Sequence, residues 1–347
     1  LVNVIQMLPA DEVPTDADLS VGLRDPAWRV DAASFGAAPL SASVALGLTD
    51  SLLARLAPAE PPKVVVDRLG DDAAHDAYFH VVRVDGPTGP TFVRSILAAR
   101  STLLREVTES PVSLAAHLLD ATDRALVDLL GVLLLPTAGP LPSVTRWDAP
   151  GDRRAVMPRW IRGHQVFAVL TQGLVLSFGG LGRAVRAGRW SDVARWADLT
   201  ASLLRGSSGA FVLTGDFAVE DYVRDVRPSM SPPASPICLS GLMSADHRVM
   251  VQSIRDLKPA LRSLHEHDPA NHDRVHAELR AVYDHHAHVC ERFVGDRPSL
   301  LTAGSTDKTG PALIQQFKNL RLKPFETVPH AGRLRPQGPA GNQCPHQ

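Results

Sequence analysis

Two residues that could do chemistry stand one helical turn apart near the end of the chain. His286 and Cys290 lie in Asp268 to Gly295, DPANHDRVHAELRAVYDHHAHVCERFVG. Asp268 as N-cap, Pro269 at the first helical position and Gly295 after the last apolar residue mark this stretch as one helix. At about 100° per residue, Val275, Leu279, Val282, His286, Val289, Cys290 and Phe293 share one face, while His285 and His288 point away. An imidazole and a thiol are therefore set into an apolar stripe, which normally excludes ionisable groups. A hydrogen-bonded core histidine beside an inert cysteine is one reading of the pair.

A third residue opens another. Ser244 to His267, SADHRVMVQSIRDLKPALRSLHEH, is a second helical pattern with Ser244 as N-cap, and His247 begins its stripe of Val251, Ile254, Leu257, Leu261 and Leu264. A tight turn at His267 to Pro269 makes the two helices an antiparallel hairpin. His247 lies about 31 Å and His286 about 27 Å from Asp268 along the two axes, so the imidazoles stand at nearly one height. Haem sandwiched between helices needs such a pair, each giving a neutral ring nitrogen to iron. Cys290 is then close enough to His286 for its sulfur to reach a vinyl at the porphyrin edge. The hairpin must splay there, because packed helices leave only about 8–10 Å between axes, and Pro259 supplies part of the bend.

His247 followed by His286-Ala287-His288-Val289-Cys290 resembles the His-x(n)-His-x-x-x-Cys signature of the haem-dependent tyrosine-derivative hydroxylases, which belong to the histidine-ligated haem-dependent aromatic oxygenases. The resemblance rests on residues 221–295. It implies a bis-histidine haem with His247 and His286 as axial ligands, held by a single thioether to Cys290. It also implies hydroxylation of the phenol ring of 3-methyl-L-tyrosine to 3-hydroxy-5-methyl-L-tyrosine, with hydrogen peroxide as oxidant, in saframycin-type antibiotic biosynthesis. For peroxide to enter, one ligand must leave. His286 is tied through Cys290, whereas His247 sits in a first helical turn, where fraying is cheapest. His247 is thus the ligand expected to depart and to act as general acid-base. Two rivals stay open: a non-enzymatic bis-histidine haem protein, carrier or sensor, and an oxygen-dependent haem dioxygenase of the tryptophan 2,3-dioxygenase type.

An amino-acid substrate needs further partners. Arg227, in a proline-rich loop leading to His247, is the candidate for its carboxylate because a guanidinium matches that geometry. His164, in an apolar helix, is the candidate for a hydrogen bond inside the pocket. Each could equally be a structural residue.

These side chains need a scaffold, and most of it reads as helix. The chain has 347 residues, 44% hydrophobic and 21% charged, an ordinary globular composition. The expected architecture is mainly α, a helical bundle enclosing a haem, with a small antiparallel β element near residues 63–96. Helices are expected at Pro39 to Leu56, Ile96 to Val107, Ser113 to Leu135, Val156 to Phe178, Trp190 to Leu204, Asp216 to Val226 and Pro311 to Leu320. Lys63 to Val66, Tyr78 to Val84 and Thr91 to Val93 have strand character. Residues 1–329 form a single domain, with 1–38 an N-terminal arm, 39–96 a helix plus the sheet and 97–329 the helical body; 330–347 is an exposed tail.

A net charge of −1 offers no electrostatic case for nucleic acid or an anionic membrane. Cys238, Cys290 and Cys344 are too scattered for a disulfide framework and fit a reducing cytoplasm. The opening LVNVIQMLPADE lacks the features of a signal peptide, and the apolar stretch from Val166 to Leu181 is short for a membrane span. Oligomeric state is not legible. Of the 14 histidines, half lie between His265 and His288. His272 and His276 invite a zinc reading, but no acidic partner stands obviously beside them, and His265, His267, His272, His276, His285 and His288 read as a solvated face. No Gly-rich phosphate loop follows a strand, and no Gly-x-Ser-x-Gly elbow is present.

Overall fold

The computed structural model describes residues 3–15, 40–65, 71–134, 143–147, 155–295, 300 and 309–326. In chain order the elements are β1 (Ile5–Met7), α1 (Ala42–Arg55), β2 (Lys63–Val64), α2 (Asp71–Tyr78), β3 (Val81–Asp85), α3 (Thr88–Glu109), α4 (Ala116–Leu134), α5 (Val156–Arg186) and α6 (Trp190–Thr214). A broken helix, α7, joins Val219–Asp221, a π-helical turn Tyr222–Val226 and Arg227–Ser229. Then come α8 (Ala245–Asp256), α9 (Lys258–His267), α10 (Pro269–Phe293) and α11 (Gly310–Leu322). The expected mainly helical body with a minor sheet is what forms. Most of the expected arm and all of the expected tail, with Cys344, lie outside the described residues.

The sheet differs from expectation in two ways. It is mixed, with β3 central, β2 antiparallel to it and β1 parallel to it, Ile5 pairing with Val81 and Met7 with Arg83. The parallel partner comes from the supposed arm, because Ile5 and Met7 alternate with Gln6 and turn both apolar side chains inward. Thr91 to Val93 is helical rather than extended, since Pro90 falls in the first turn of α3, where no backbone donor is missed.

The core is built on α5 and α6, which pack along each other, and α6 packs in turn against α4 and α10. Helix α5 is buried nearly all round, Val169, Leu170, Leu181 and Gln172 included, because other helices cover every side. Among the described residues it is the one helix long and apolar enough to cross a membrane, yet 78% of its most apolar stretch is buried inside the protein. Close approach of α4 to α6 depends on glycine: a Cβ at Gly209 would stand 2.3 Å from Thr122 Oγ1 and 2.4 Å from the Leu118 carbonyl oxygen.

Ser244 and Asp268 cap α8 and α10 as their types predict, accepting from the backbone N–H of His247 and Asn271 respectively. The expected hairpin, however, is not two helices. Its first arm breaks at Leu257 into α8 and α9, with Pro259 in the first turn of α9. While α9 packs against α10, α8 leaves it and leans on α5. The break opens the space between the walls bearing His247 and His286.

Candidate active site

One cavity receives the five residues assigned from the sequence to haem and substrate: His247, His286, Cys290, Arg227 and His164 all line it. Its walls come from α2, β3, α5, α6, α7, α8, α10 and α11, and they are mostly apolar or aromatic. The stripe of α10 faces inward, with Val275, Leu279, Val282 and Phe293 buried, while His288 is exposed and His285 bonds the Ala281 carbonyl through Nδ1 at 2.8 Å.

His286 is held by stacking. Its ring lies on Phe211 of α6, centroids 4.5 Å apart and planes 16° from parallel. No side-chain hydrogen bond to His286 or His247 is found among the described residues. Burial pushes the His286 imidazole down to about 4. Burial does the same to His247, to about 4, with the nearby guanidinium charges of Arg321 and Arg248 acting in the same direction. Both rings are therefore neutral near pH 7. Cys290 is a free thiol, and burial raises it to about 11, so it rests protonated.

A second wall carries His164. Its Nδ1 donates to the Trp160 carbonyl at 2.7 Å, and its ring stacks on Phe79 at 4.1 Å. Burial drives it down to about 3, against the pull of that carbonyl. The bond to Nδ1 leaves Nε2 as an acceptor. Tyr222 lies beside Arg227 and stacks on Phe293 at 4.7 Å. Its phenol is raised by burial, partly offset by Arg227.

A buried ion-pair network in the cavity wall has no counterpart in the sequence reading. Arg83 of β3 bonds Asp76 through Nε and Nη2, Asp246 through Nη1 and Nη2, and the Leu8 carbonyl through Nη1. Gln172 adds bonds to Asp246 and to Leu8. Burial works against the charge on Arg83, and the Asp246 and Asp76 carboxylates outweigh it. Burial alone would likewise raise Asp76, but Arg83 and His75 bring it below the usual carboxylate range. Asp246 immediately precedes His247, so the first turn of α8 is both capped and clamped. The easy fraying expected there does not apply.

The solvated histidine face also needs correction. His272 is only 3% exposed, because α9 covers the start of α10 and Phe325 closes over it. Phe211 and Arg83 were missed for different reasons. The small-residue run Gly206 to Ala210 conceals that α6 continues to Thr214, and the Arg83 to Asp246 pair spans too much sequence to be visible in a local pattern.

A helical bundle around a largely apolar cavity, containing neutral imidazoles, a protonated thiol and a few fixed polar groups, has the build of an enzyme that encloses a small molecule. The chain belongs to the SfmD 3-methyl-L-tyrosine peroxygenase family, which it matches over residues 6–299, and is thus an oxidoreductase. It is 31% identical to the 3-methyl-L-tyrosine peroxygenase of Streptomyces lavendulae over 323 residues, 89% of this chain and 83% of that protein. The crystal structure of reduced SfmD superposes with a TM-score of 0.65 at 26% identity, covering 82% of this chain and 97% of that one. Peroxygenase chemistry points to haem and peroxide. The donor set is compatible with that group: two neutral imidazoles with no hydrogen-bond partner among the described residues line an apolar cavity, beside a free thiol.

Proposed function

We propose that the chain holds haem between His247 of α8 and His286 of α10, with Cys290 as its single thioether attachment. With hydrogen peroxide it hydroxylates the ring of 3-methyl-L-tyrosine to give 3-hydroxy-5-methyl-L-tyrosine, acting in the cytoplasm. The observation that carries this reading is the meeting of His247, His286 and Cys290 in one cavity of a chain that belongs to a peroxygenase family. When bound, haem supplies the iron that activates peroxide.

The protein's own groups divide the remaining work. His286 stays in place because Phe211 stacks on it and Cys290 ties the turn beyond it. His247 would hold the group with a side chain that can turn away by rotation, since the backbone around it is clamped by Asp246 and Arg83. Turned away, its neutral ring nitrogen is in the state that accepts a proton. Arg227 meets the substrate carboxylate with its planar fork. His164 Nε2 accepts from the substrate phenol, and the aromatic walls exclude water.

Two measurements test this. Intact-mass spectrometry under denaturing conditions should show one haem bonded to the chain, lost in Cys290→Ala. Incubation with 3-methyl-L-tyrosine and hydrogen peroxide should add one oxygen atom to the ring, and catalase should abolish that product. A product that needs dioxygen and ignores catalase would replace the peroxygenase reading with an oxygen-dependent one.

A further inference from the structure

The corner between α9 and α10 gathers a second set of metal-ligating side chains, none of which lines the cavity. His265 stands in the last turn of α9 and His272 in the first turn of α10. The turn at Asp268 brings their rings to 4.8 Å between centroids, with planes at 71°. Nδ1 of His265 and Nε2 of His272 are both buried without a hydrogen-bond partner among the described residues. Two such nitrogens on adjacent rings are unusual, because buried polar atoms are nearly always satisfied.

Asp273 supplies the negative charge. Its Oδ1 accepts from His272 Nδ1 at 2.9 Å, which places the ring proton on Nδ1 and leaves Nε2 as a bare lone pair. A carboxylate on the far nitrogen orients an imidazole and strengthens it as a ligand. One ligand atom from each of His265, His272 and Asp273 lies within 4.8 Å of the others. His276, one turn on, is stacked on Phe325 at 5.3 Å and 12°, with its ring 6.2 Å from that of His272.

Paired imidazole nitrogens are a donor set of the zinc class, and two protein ligands leave the remaining positions for water. We propose that His265 Nδ1 and His272 Nε2 bind one divalent transition-metal ion, with Asp273 orienting the His272 ring from its far nitrogen, clamping α9 to the start of the helix that carries His286. The site is independent of the haem reading, since none of its residues touches the cavity.

The test is calorimetric titration of the chelator-treated, haem-loaded full chain with zinc chloride, paired with thermal melts. Wild type should bind one equivalent and melt higher with zinc. His265→Ala and Asp273→Asn should each weaken binding at least about tenfold and abolish the zinc-dependent rise in Tm, while their metal-free melts stay near wild type. His272→Gln should do the same, and if that buried substitution does not fold, the other two decide. Absence of saturable binding in wild type, or one-equivalent binding unchanged in His265→Ala and Asp273→Asn, would overturn the proposal.

Discussion

Asp246, the residue before His247, gives both carboxylate oxygens to Arg83, accepting from Nη1 at 3.0 Å and from Nη2 at 2.7 Å. The pair is buried, with side chains 3% and 1% exposed, and joins the sheet to the first turn of α8. Removing one partner strands the other's charge. Asp246→Ala should therefore lose about 3–5 kcal/mol in urea unfolding, the usual penalty for breaking a buried pair. A loss below about 1 kcal/mol would mean that Asp76 alone satisfies Arg83 and that the clamp on His247 is weaker than its geometry.

Burial of His164 makes an acid-side contribution with a definite sign. Its folded pKa is pushed down to about 3, below an ordinary value of 6.5. The unfolded chain binds the proton first, so the stability due to this ring is complete above about pH 6.5 and is lost as pH falls toward about 3. Carboxylates titrate in the lower part of the same range, so a difference measurement is needed. His164→Phe keeps an aromatic ring against Phe79 and cannot charge. Between pH 6.5 and 4.5 its urea midpoint should fall less than that of wild type; parallel curves would show that the wild-type ring is reached by protons without unfolding.

Glycines in the helices separate into two kinds. At Gly209 a Cβ meets Thr122 Oγ1 and the Leu118 carbonyl at 2.3 and 2.4 Å, so Gly209→Ala must push α4 and α6 apart. A loss of about 1–3 kcal/mol is expected. Nothing lies within 4 Å of a Cβ at Gly47 in α1 or Gly131 in α4. There alanine should stabilise by about 0.5–1 kcal/mol, by helix propensity alone. Thermal melts of the three variants check the contrast.

How much of this was legible depended on range. Ser244, Asp268, Pro269 and Gly295 mark helix ends through contacts within a few residues, and the structure places caps at Ser244 and Asp268. The inward face of α10 follows from 3.6-residue periodicity, which is why Val275, Leu279 and Val282 are buried as read. Arg83, Asp76 and Asp246 escaped because a buried ion pair between a strand and a helix 163 residues apart leaves no local pattern. His272 escaped for a related reason: its angle on α10 faces away from the cavity stripe, but α9 and Phe325 cover it. The break at Leu257 lay in between, since Pro259 signals a bend and only packing on α5 decides where α8 goes.

Arg227 supplies the prediction that most directly probes how substrate is held. It lines the cavity at the end of the π-helical turn, beside Tyr222. A guanidinium bonded to a substrate carboxylate grips ground state and transition state alike, because that carboxylate takes no part in ring chemistry. Arg227→Met should accordingly raise KM for 3-methyl-L-tyrosine by about tenfold to a hundredfold, the worth of hydrogen bonds to a charged group, with kcat little changed. Arg227→Lys should recover only part of the loss, since a point charge cannot reproduce a planar fork. The decisive comparison is the same pair of constants for the decarboxylated phenol amine. Wild type and Arg227→Met should treat it alike; a variant that still lost its grip on it would place Arg227 in the wall of the cavity rather than on the carboxylate.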